Sequence, residues 1–593
     1  MYYSRLKKNS IIKPENKNIG NFRLRVLVFV FIFFSLIISI RLFYLMVIQY
    51  DFYAALAAGS HEIYNNLHPK RGLILIQDSR SGEEYVLAMN YDKFLVYADT
   101  RKIKNNETAE MIMEKISEIF SYNDEQKASL LVKLNKREDP YEPIENKVEE
   151  SVVEIIKEMN LPGINFIRQP FRYYPEGNLA STVVGFLGKD INGNDIGRYG
   201  IEGYWQKELA GSGGFVKGSR TALGNIIPAA NMNYKKPING ADLLLTIDRT
   251  LEYKACEILK NGLERYKAKS ASLIIMDPST GAIRAMCSFP DFDPNNYGKV
   301  ENIEAYNNTN IFTAYEPGSI FKPITMAAAL NEGVIGVETT FLDTGSRTEL
   351  CKTPIKNAMS KVYGVQDMNS VLKNSINTGM IFVVEKLGKN KFLDYLNAFG
   401  FGLAEGIELD KEVSGNIKTL YENKKNKVDC YTATASFGQG ITVTPLQMAV
   451  AYSTIANGGI MMKPYIVEEI RYADGKIERT RPTEIRKVLD KKTALTVSGM
   501  LVNVVDKGHP TGSSVNGYYI GGKTGTAQIP GPGGYLKETN HSFVGIAPIF
   551  NPKFVMIVKF EKPQMTWADS TALPVFNEIS KFALQYYQIP PER

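Results

Sequence analysis

The stretch Tyr315–Thr325, YEPGSIFKPIT, sets a serine and a lysine three residues apart, Ser319 and Lys322, directly after a Pro-Gly pair. Pro317-Gly318 punctuates a loop, so Ser319 falls at the start of an expected helix reaching Leu330. Residues i and i+3 share a helix face, which brings the Lys322 amine within reach of the Ser319 hydroxyl. A serine at a helix N-terminus also lies among unpaired backbone N–H groups that can receive a developing oxyanion. Pro323 removes the N–H that would bond the Ser319 carbonyl, a cost if the helix is regular there. Alone, S-x-x-K is a short pattern that an ordinary helix surface also satisfies.

Two further stretches follow in the chain. Ser375-Ile376-Asn377, in VLKNSINTGM between two helical stretches, offers a hydroxyl and an amide suited to relaying a proton and holding a substrate amide. Lys523-Thr524-Gly525-Thr526 follows the apolar run GYYIGG and reads as a strand. Such a strand pairs edge-on with an extended peptide, while Lys523 and the threonine hydroxyls hold a carboxylate. A serine nucleophile needs a base. The histidines, His61, His68, His509 and His541, all lie outside these stretches, so Lys322 is the candidate. Burial and a like charge such as Lys523 would favour its neutral form.

The chain of 593 residues has room for more than one domain, and its 44% hydrophobic and 22% charged content is that of a folded protein. A net charge of +7 with no long Lys/Arg run argues against a nucleic-acid partner. The four cysteines are scattered without a C-x-x-C pair, which argues against a disulfide framework or a zinc ribbon. Cys256 and Cys287 read as small buried hydrophobes. From Val26 to Ile48 the only charge is Arg41, and the length suits one bilayer span. Arg5, Lys7, Lys8, Lys13, Lys17, Arg23 and Arg25 precede it against a single Glu15, which places the N-terminus in the cytoplasm. A signal peptide cleaved near Ala55-Leu56-Ala57 is the competing reading, and the long apolar stretch and long leader favour an uncleaved anchor.

Along the chain, Asp51–Ala58 reads as a helix leaving the bilayer, and residues 68–90 as short β-runs with turns. Residues from about 105 to 159 have helical spacing and are expected to form an inserted helical subdomain, within about 95–165. Residues 171–188 and 199–214 read as turns and strands, and 232–240 as a loop or hinge. The second region opens with a strand over 242–247 and a helix over 249–266, then a hairpin of 272–276 with 282–289. Helical segments, including 446–456, precede a second hairpin of 542–548 with 553–559 and a terminal helix over 572–587. Hairpins at both ends with helices between predict an α+β fold, one antiparallel sheet covered by helices. The expected divisions are a tail at 1–25, an anchor at 26–48, a first domain at 49–235 and a second at 240–588.

S-x-x-K, S-x-N and K-T-G in this order form a combined signature. On it, and on Arg71-Gly72, RYYPEG, YGIEGYWQKELAG, DPSTGAIRAM, ASFGQGITVTPLQMA and GGKTGTAQ, the sequence resembles the class B penicillin-binding proteins over nearly the whole chain after the anchor. The resemblance implies a penicillin-recognising serine transpeptidase fold on an elongated pedestal. It implies that Ser319 attacks the D-Ala–D-Ala peptide of a wall precursor, that a stem-peptide amine resolves the acyl-enzyme, and that β-lactams trap Ser319. Lys322 would be the base, and Ser375 and Asn377 would relay protons and position substrate. Lys523, Thr524, Gly525 and Thr526 would bind the substrate carboxylate, with the N–H groups of Ser319 and Thr526 as oxyanion hole. No metal or cofactor is implied. The implied partners are stem peptides, β-lactams and a glycan-polymerising membrane protein of the SEDS family, at the bacterial cell membrane. Asn377, where some elongation-type members carry an acid, leans towards division or sporulation.

Rival readings are a D,D-carboxypeptidase or β-lactamase of the same superfamily, against which the long first region speaks, and a non-catalytic scaffold or β-lactam sensor. Three local matches are decoys. GYYIGGKT, residues 517–524, fits a P-loop pattern, but residues 527–534 cannot open the helix a P-loop requires. DINGNDIG, residues 190–197, lacks the Gly and Glu of a calcium loop and reads as a surface turn. Arg172 and Glu202 read as a structural ion pair rather than as catalytic groups.

Overall fold

The computed structural model describes residues 18–49, 66–67, 69–217, 233–422, 427–508 and 514–593. The chain divides into two compact units, one of residues 1–67 with 214–236 and one of residues 68–213 with 237–593. In the first, helix α1 (Asn18–Phe43) runs on into a π-helical turn, Tyr44–Ile48. From Val26 to Ile48 its mean hydropathy is 2.8, long and apolar enough to cross a membrane. The same unit holds a small antiparallel sheet of Asn66–Leu67, Gly214–Lys217 and Asn233–Lys235, so a strand occupies part of the expected 232–240 loop. The helix expected over 51–58 lies outside the described residues.

The second unit contains two main sheets. Strands β1 (Ile74–Gln77) and β2 (Glu84–Ala98) form a hairpin. The insertion that follows has helices α2 (Asn106–Phe120), α3 (Asp124–Leu134) and α4 (Glu150–Glu158). Helix α3 begins with a reciprocal capping box between Asn123 and Gln126. The insertion is not purely helical, because β3 (Glu142–Val148) and β4 (Ile164–Tyr173) both pair with the long β2. Ile112, Ile116, Leu134 and Val153 supply the apolar stripe of its helices and cover Val96 and Val148. Residues 199–214, expected as turns and strands, contain short helices Gly200–Tyr204 and Gln206–Ala210, with Ile201 and Leu209 eight apart on one buried face.

Strand β5 (Asp242–Asp248) then pairs in parallel with β1. The chain therefore enters its second region without leaving the sheet, which β8 (Val467–Arg471) and β9 (Ile477–Arg479) later extend on the other side of β5. After α5 (Arg249–Tyr266) come β6 (Ser270–Met276) and β7 (Ile283–Phe289), the first expected hairpin. The central helices include α6 (Lys322–Asn331), α7 (Met368–Lys373), α8 (Asn377–Leu387), α9 (Pro445–Ala456) and α10 (Lys491–Gly508). Strands β10 (Gly521–Gly531), β11 (Gly534–Ala547) and β12 (Phe554–Glu561) and helix α11 (Ala572–Tyr586) complete the unit.

The second sheet is antiparallel throughout, in the order β7-β6-β12-β11-β10, and helices cover both faces. That explains the unbroken apolar run of β6. Leu273 and Ile275 pack with Leu251, Phe576 and Ile579 of α5 and α11. Ile274 and Met276 belong to the core that holds Ile324, Met448 and Leu501 of α6, α9 and α10. Each such buried side chain stabilises the fold by roughly 1.5–3 kcal/mol.

The four cysteines form two disulfides, Cys256–Cys287 and Cys351–Cys430, which corrects the reading of free, buried thiols. The first joins α5 to β7 and the second joins the loop before α7 to helix Cys430–Ala435. The partners lie 31 and 79 residues apart, so only tertiary packing brings them together and no local spacing records it.

Candidate functional site

Ser319 lies in a 3-10 turn, Gly318–Phe321, that leads directly into α6. In a 3-10 helix residues i and i+3 eclipse, which aligns Ser319 with Lys322 more closely than an α-helix would. The turn also resolves the problem set by Pro323. The Lys322 N–H takes the Ser319 carbonyl, and the proline occupies the first turn of α6, where no intrahelical donor is needed.

The turn is clamped on several sides. Tyr315 and Val443 exchange both backbone hydrogen bonds at 2.9 Å, and the Tyr452 hydroxyl donates to the Ile320 carbonyl at 2.7 Å. The Gly318 N–H donates to the Gly438 carbonyl at 2.9 Å, an approach so close that a Cβ on Gly438 would lie 2.3 Å from the Gly318 oxygen. On the opposite side stands β10, the edge strand of its sheet. A Cβ on Gly525 would lie 2.8 Å from Ser542 Oγ, 3.0 Å from Ile320 Cγ2 and 3.0 Å from the Pro317 carbonyl. Only glycine lets the strand lie this near the serine turn.

Lys322 is fully buried. Its Nζ lies 2.6 Å from the Ser375 carbonyl, 3.1 Å from Ser375 Oγ and 2.8 Å from Asn377 Oδ1. Ser375 occupies the left-handed region, with φ +55, a conformation uncommon for a residue with a Cβ and often found at functional sites. The Asn377 amide nitrogen donates to the Lys356 carbonyl at 2.9 Å, which turns its oxygen towards Lys322. Behind it, Asn357 and Thr378 both bond Asp343 and fix the start of α8.

Burial, and after it the nearby Lys523 charge, holds the Lys322 amine well below its ordinary pKa. Burial also brings Lys523 down to about 8, against the opposing pull of Asp569. Lys523 Nζ lies 3.3 Å from the Thr524 carbonyl. Side chains alternate along β10, so Thr524 and Thr526 face one side and Lys523 the other.

Ser319, Ser375, Asn377, Thr524 and Thr526 line one cavity of about 210 Å³. Lys322 and Lys523 are buried side chains that do not line it, and Gly525 sets the strand's distance from the serine turn. A larger groove of about 1300 Å³ shares Asn377, Phe437, Gln439, Thr526 and Trp567 with the cavity and continues past Lys352, Lys537 and the Cys351–Cys430 disulfide. An extended peptide fits such a groove, and the unpaired edge of β10 offers it backbone partners.

The cavity also contains groups that no local pattern singles out. Asn357 and Tyr363 come from the loop before α7, and Trp567 and Asp569 from the segment before α11. The Ala568 N–H donates to Thr526 Oγ1 at 3.1 Å and ties that segment to β10. Phe437 and Gln439 lie in the ASFGQG stretch, one of those that carry the family resemblance. The P-loop pattern at 517–524 runs into β10, and residues 190–197 span the turn of the hairpin Phe186–Lys189 with Asp195–Arg198.

The chain matches the penicillin binding protein transpeptidase domain over residues 271–581 and the penicillin-binding protein dimerisation domain over residues 66–245. Stage V sporulation protein D of Bacillus subtilis (strain 168) is 32% identical over 594 residues, covering 98% of this chain and 88% of that protein. Peptidoglycan D,D-transpeptidase FtsI of Escherichia coli (strain K12) is 30% identical over 450 residues, 75% of this chain and 72% of that one. Among solved structures, penicillin binding protein 2X from Streptococcus thermophilus shares the fold, with a TM-score of 0.73 at 22% identity over 88% of this chain and 80% of its own. Two domains matched in order, with a relative at this identity along nearly the full length, show that the chain belongs to the class B penicillin-binding proteins.

Proposed function

We propose that this protein cross-links peptidoglycan stem peptides as a serine-type D,D-transpeptidase, with Ser319 as nucleophile. The observation that carries the reading is the buried Lys322 amine, one 3-10 turn past Ser319 and hydrogen-bonded to Ser375 and Asn377. A neutral amine has two N–H groups and one lone pair. The carbonyl oxygens of Ser375 and Asn377 take the two N–H groups, which leaves the lone pair for a hydroxyl proton. Ser319 Oγ then attacks the carbonyl of the penultimate D-Ala and passes its proton to Lys322 Nζ. The N–H groups of Ser319 and Thr526 receive the oxyanion. As the C–N bond breaks, the proton travels through the Ser375 hydroxyl to the departing D-Ala amine and the ester stays on Ser319. A stem-peptide amine attacks that ester, forms the cross-link and returns a proton to Ser319. Thr524 and Thr526 hold the terminal carboxylate, and Lys523 adds its charge from behind the strand.

In this reading Val26–Ile48 is an uncleaved anchor with the N-terminus cytoplasmic, residues 49–235 form the pedestal, and residues 240–588 carry the reaction beside a SEDS-type glycan polymerase. Likeness to a stage V sporulation protein and Asn377 at its motif position support a sporulation or division role. The test is covalent labelling of wild type and Ser319→Ala by a fluorescent penicillin, read by intact mass. A stable adduct on wild type alone is expected. A transient adduct with released penicilloate would make the protein a hydrolase, and no adduct on folded wild type would point to a low-affinity member or a scaffold and reopen the Ser319 assignment.

A further inference from the structure

The groove of about 1300 Å³ that continues from the Ser319 cavity carries charge of one sign. Lys352, Lys356 and Lys537 line it, and no aspartate or glutamate does. All three lysines are exposed, and among the described residues no carboxylate lies within ion-pair distance of any of them. Glu316 touches the groove residue Tyr535 but is already engaged, since it accepts from the Tyr535 hydroxyl and from the Gly440 N–H, each at 3.0 Å. Three unpaired cations in one concave surface raise the local concentration of anions.

The elements that build the site also place these lysines. On β11, Tyr535, Lys537 and Thr539 alternate onto one face, and Thr526 and Gln528 of β10 share it, because Gln528 pairs with Thr539. Thr526 also lines the Ser319 cavity, so Lys537 stands further along the same sheet face. It lies four residues from His541, the partner of Thr526, which is about 14 Å at the rise of an extended chain. From the α8 side, the Lys356 carbonyl accepts from the Asn377 amide at 2.9 Å, which fixes that residue beside the S-x-N stretch. Lys352 follows Cys351, and the bridge to Cys430 ties its loop to helix Cys430–Ala435.

In the transpeptidase reading, on which this inference rests, the terminal carboxylate of the donor peptide goes to Thr524 and Thr526. The chain upstream then leaves along β10 past Gln528. Residues two and three places before the last lie about 7 and 10 Å back, in the span that the three lysines border with their flexible four-carbon stems. We propose that this groove selects donor peptides with a free carboxylate upstream of D-Ala–D-Ala, held by Lys352, Lys356 and Lys537. A cationic side group there meets like charge, and an amide forfeits the pairing.

Two residues of the peptide can carry that carboxylate, and near-isosteric pairs separate them. Full-chain Ser319→Ala, which lacks the proposed nucleophile and so only binds, is titrated against dye-labelled pentapeptides ending in D-Ala–D-Ala and read by anisotropy. In one pair the third residue is meso-diaminopimelate or lysine, which differ by one carboxylate. In the other the second residue is γ-linked D-glutamate or its amide, D-isoglutamine. The added carboxylate should tighten binding by about fivefold in at least one pair, the scale of an exposed ion pair, and the pair that responds identifies the residue. The difference should vanish in 1 M salt, where the screening length falls to about 3 Å, and in Lys352→Gln combined with Lys537→Gln. Equal binding within both pairs, or no binding of any peptide, would overturn the proposal, as would a difference that persists in high salt or in the double variant. Penicillin labelling of the wild-type chain keeps the two readings apart. A chain that labels but does not discriminate refutes only the groove assignment. One that takes no penicillin yet prefers the acidic peptide refutes the transpeptidase and leaves the cationic groove standing.

Discussion

Lys322 and Lys523 are both buried, and the proposed acyl transfer needs them in different protonation states. In that mechanism Lys322 accepts a proton and has to be neutral, a form that its burial favours and that grows with pH. In the same mechanism Lys523 supplies positive charge for a carboxylate, and it loses that charge as pH passes about 8. The acylation rate by a labelled penicillin should therefore be bell-shaped, with the alkaline limb near pH 8 belonging to Lys523. In Lys523→Arg the guanidinium stays charged, so that limb should vanish while the acid limb persists; a limb that stays at the same pH would assign it elsewhere. The residues of this argument were legible because S-x-x-K, S-x-N and K-T-G lie on three short stretches with fixed spacing. Trp567 and Asp569 were not legible, since they reach the cavity through the Ala568–Thr526 hydrogen bond, which no nearby residue pattern encodes.

The serine turn and β10 meet so closely that the strand has no room for a side chain at Gly525. Gly525→Ala should cost about 1–3 kcal/mol by overpacking. Because the strand must move from Pro317 and Ile320, labelling of Ser319 should slow even in protein that remains folded. A denaturation midpoint shift without slower labelling would mean that the collision is relieved away from the site. At this scale the sequence was read well where an element is local, as with the two hairpins of the antiparallel sheet and helices α5, α9 and α11. It was read poorly where partners are remote. Strand β3 lies in a stretch that reads as helix because its pairing with β2 is a tertiary fact, and the cysteines read as free thiols because 31 and 79 residues separate the partners. Removing the bridge beside the groove tests the correction. Cys351→Ser with Cys430→Ser should lower stability by about 2–4 kcal/mol, as expected for opening so long a loop. Mass shifts after alkylation with and without reductant would show no bridge to remove if the assignment were wrong.

At the scale of the molecule, the two matched regions share one sheet. Strand β5, at the end of the first, lies between β1 of the first and β8 of the second. Parallel pairing between strands so far apart in sequence leaves no local mark, which is why composition alone suggests a hinge where the structure has continuous hydrogen bonding from β1 to β5. Glu202 braces the first region, because it ties Arg71, just before β1, to Arg172 of β4. Glu202→Ala leaves two buried guanidiniums without their carboxylate, a change that typically costs about 3–5 kcal/mol. If the shared sheet makes the second unit cooperative, that loss must appear in both regions. The chain has two tryptophans, Trp205 beside the Glu202 helix and Trp567 at the Ser319 cavity, so Trp567→Phe and Trp205→Phe each leave one reporter. In urea the two reporters should unfold at one midpoint, and Glu202→Ala should shift both to lower denaturant equally. A shift confined to the Trp205 reporter would mean that the regions unfold independently, and that β5 pairs with β8 without coupling them.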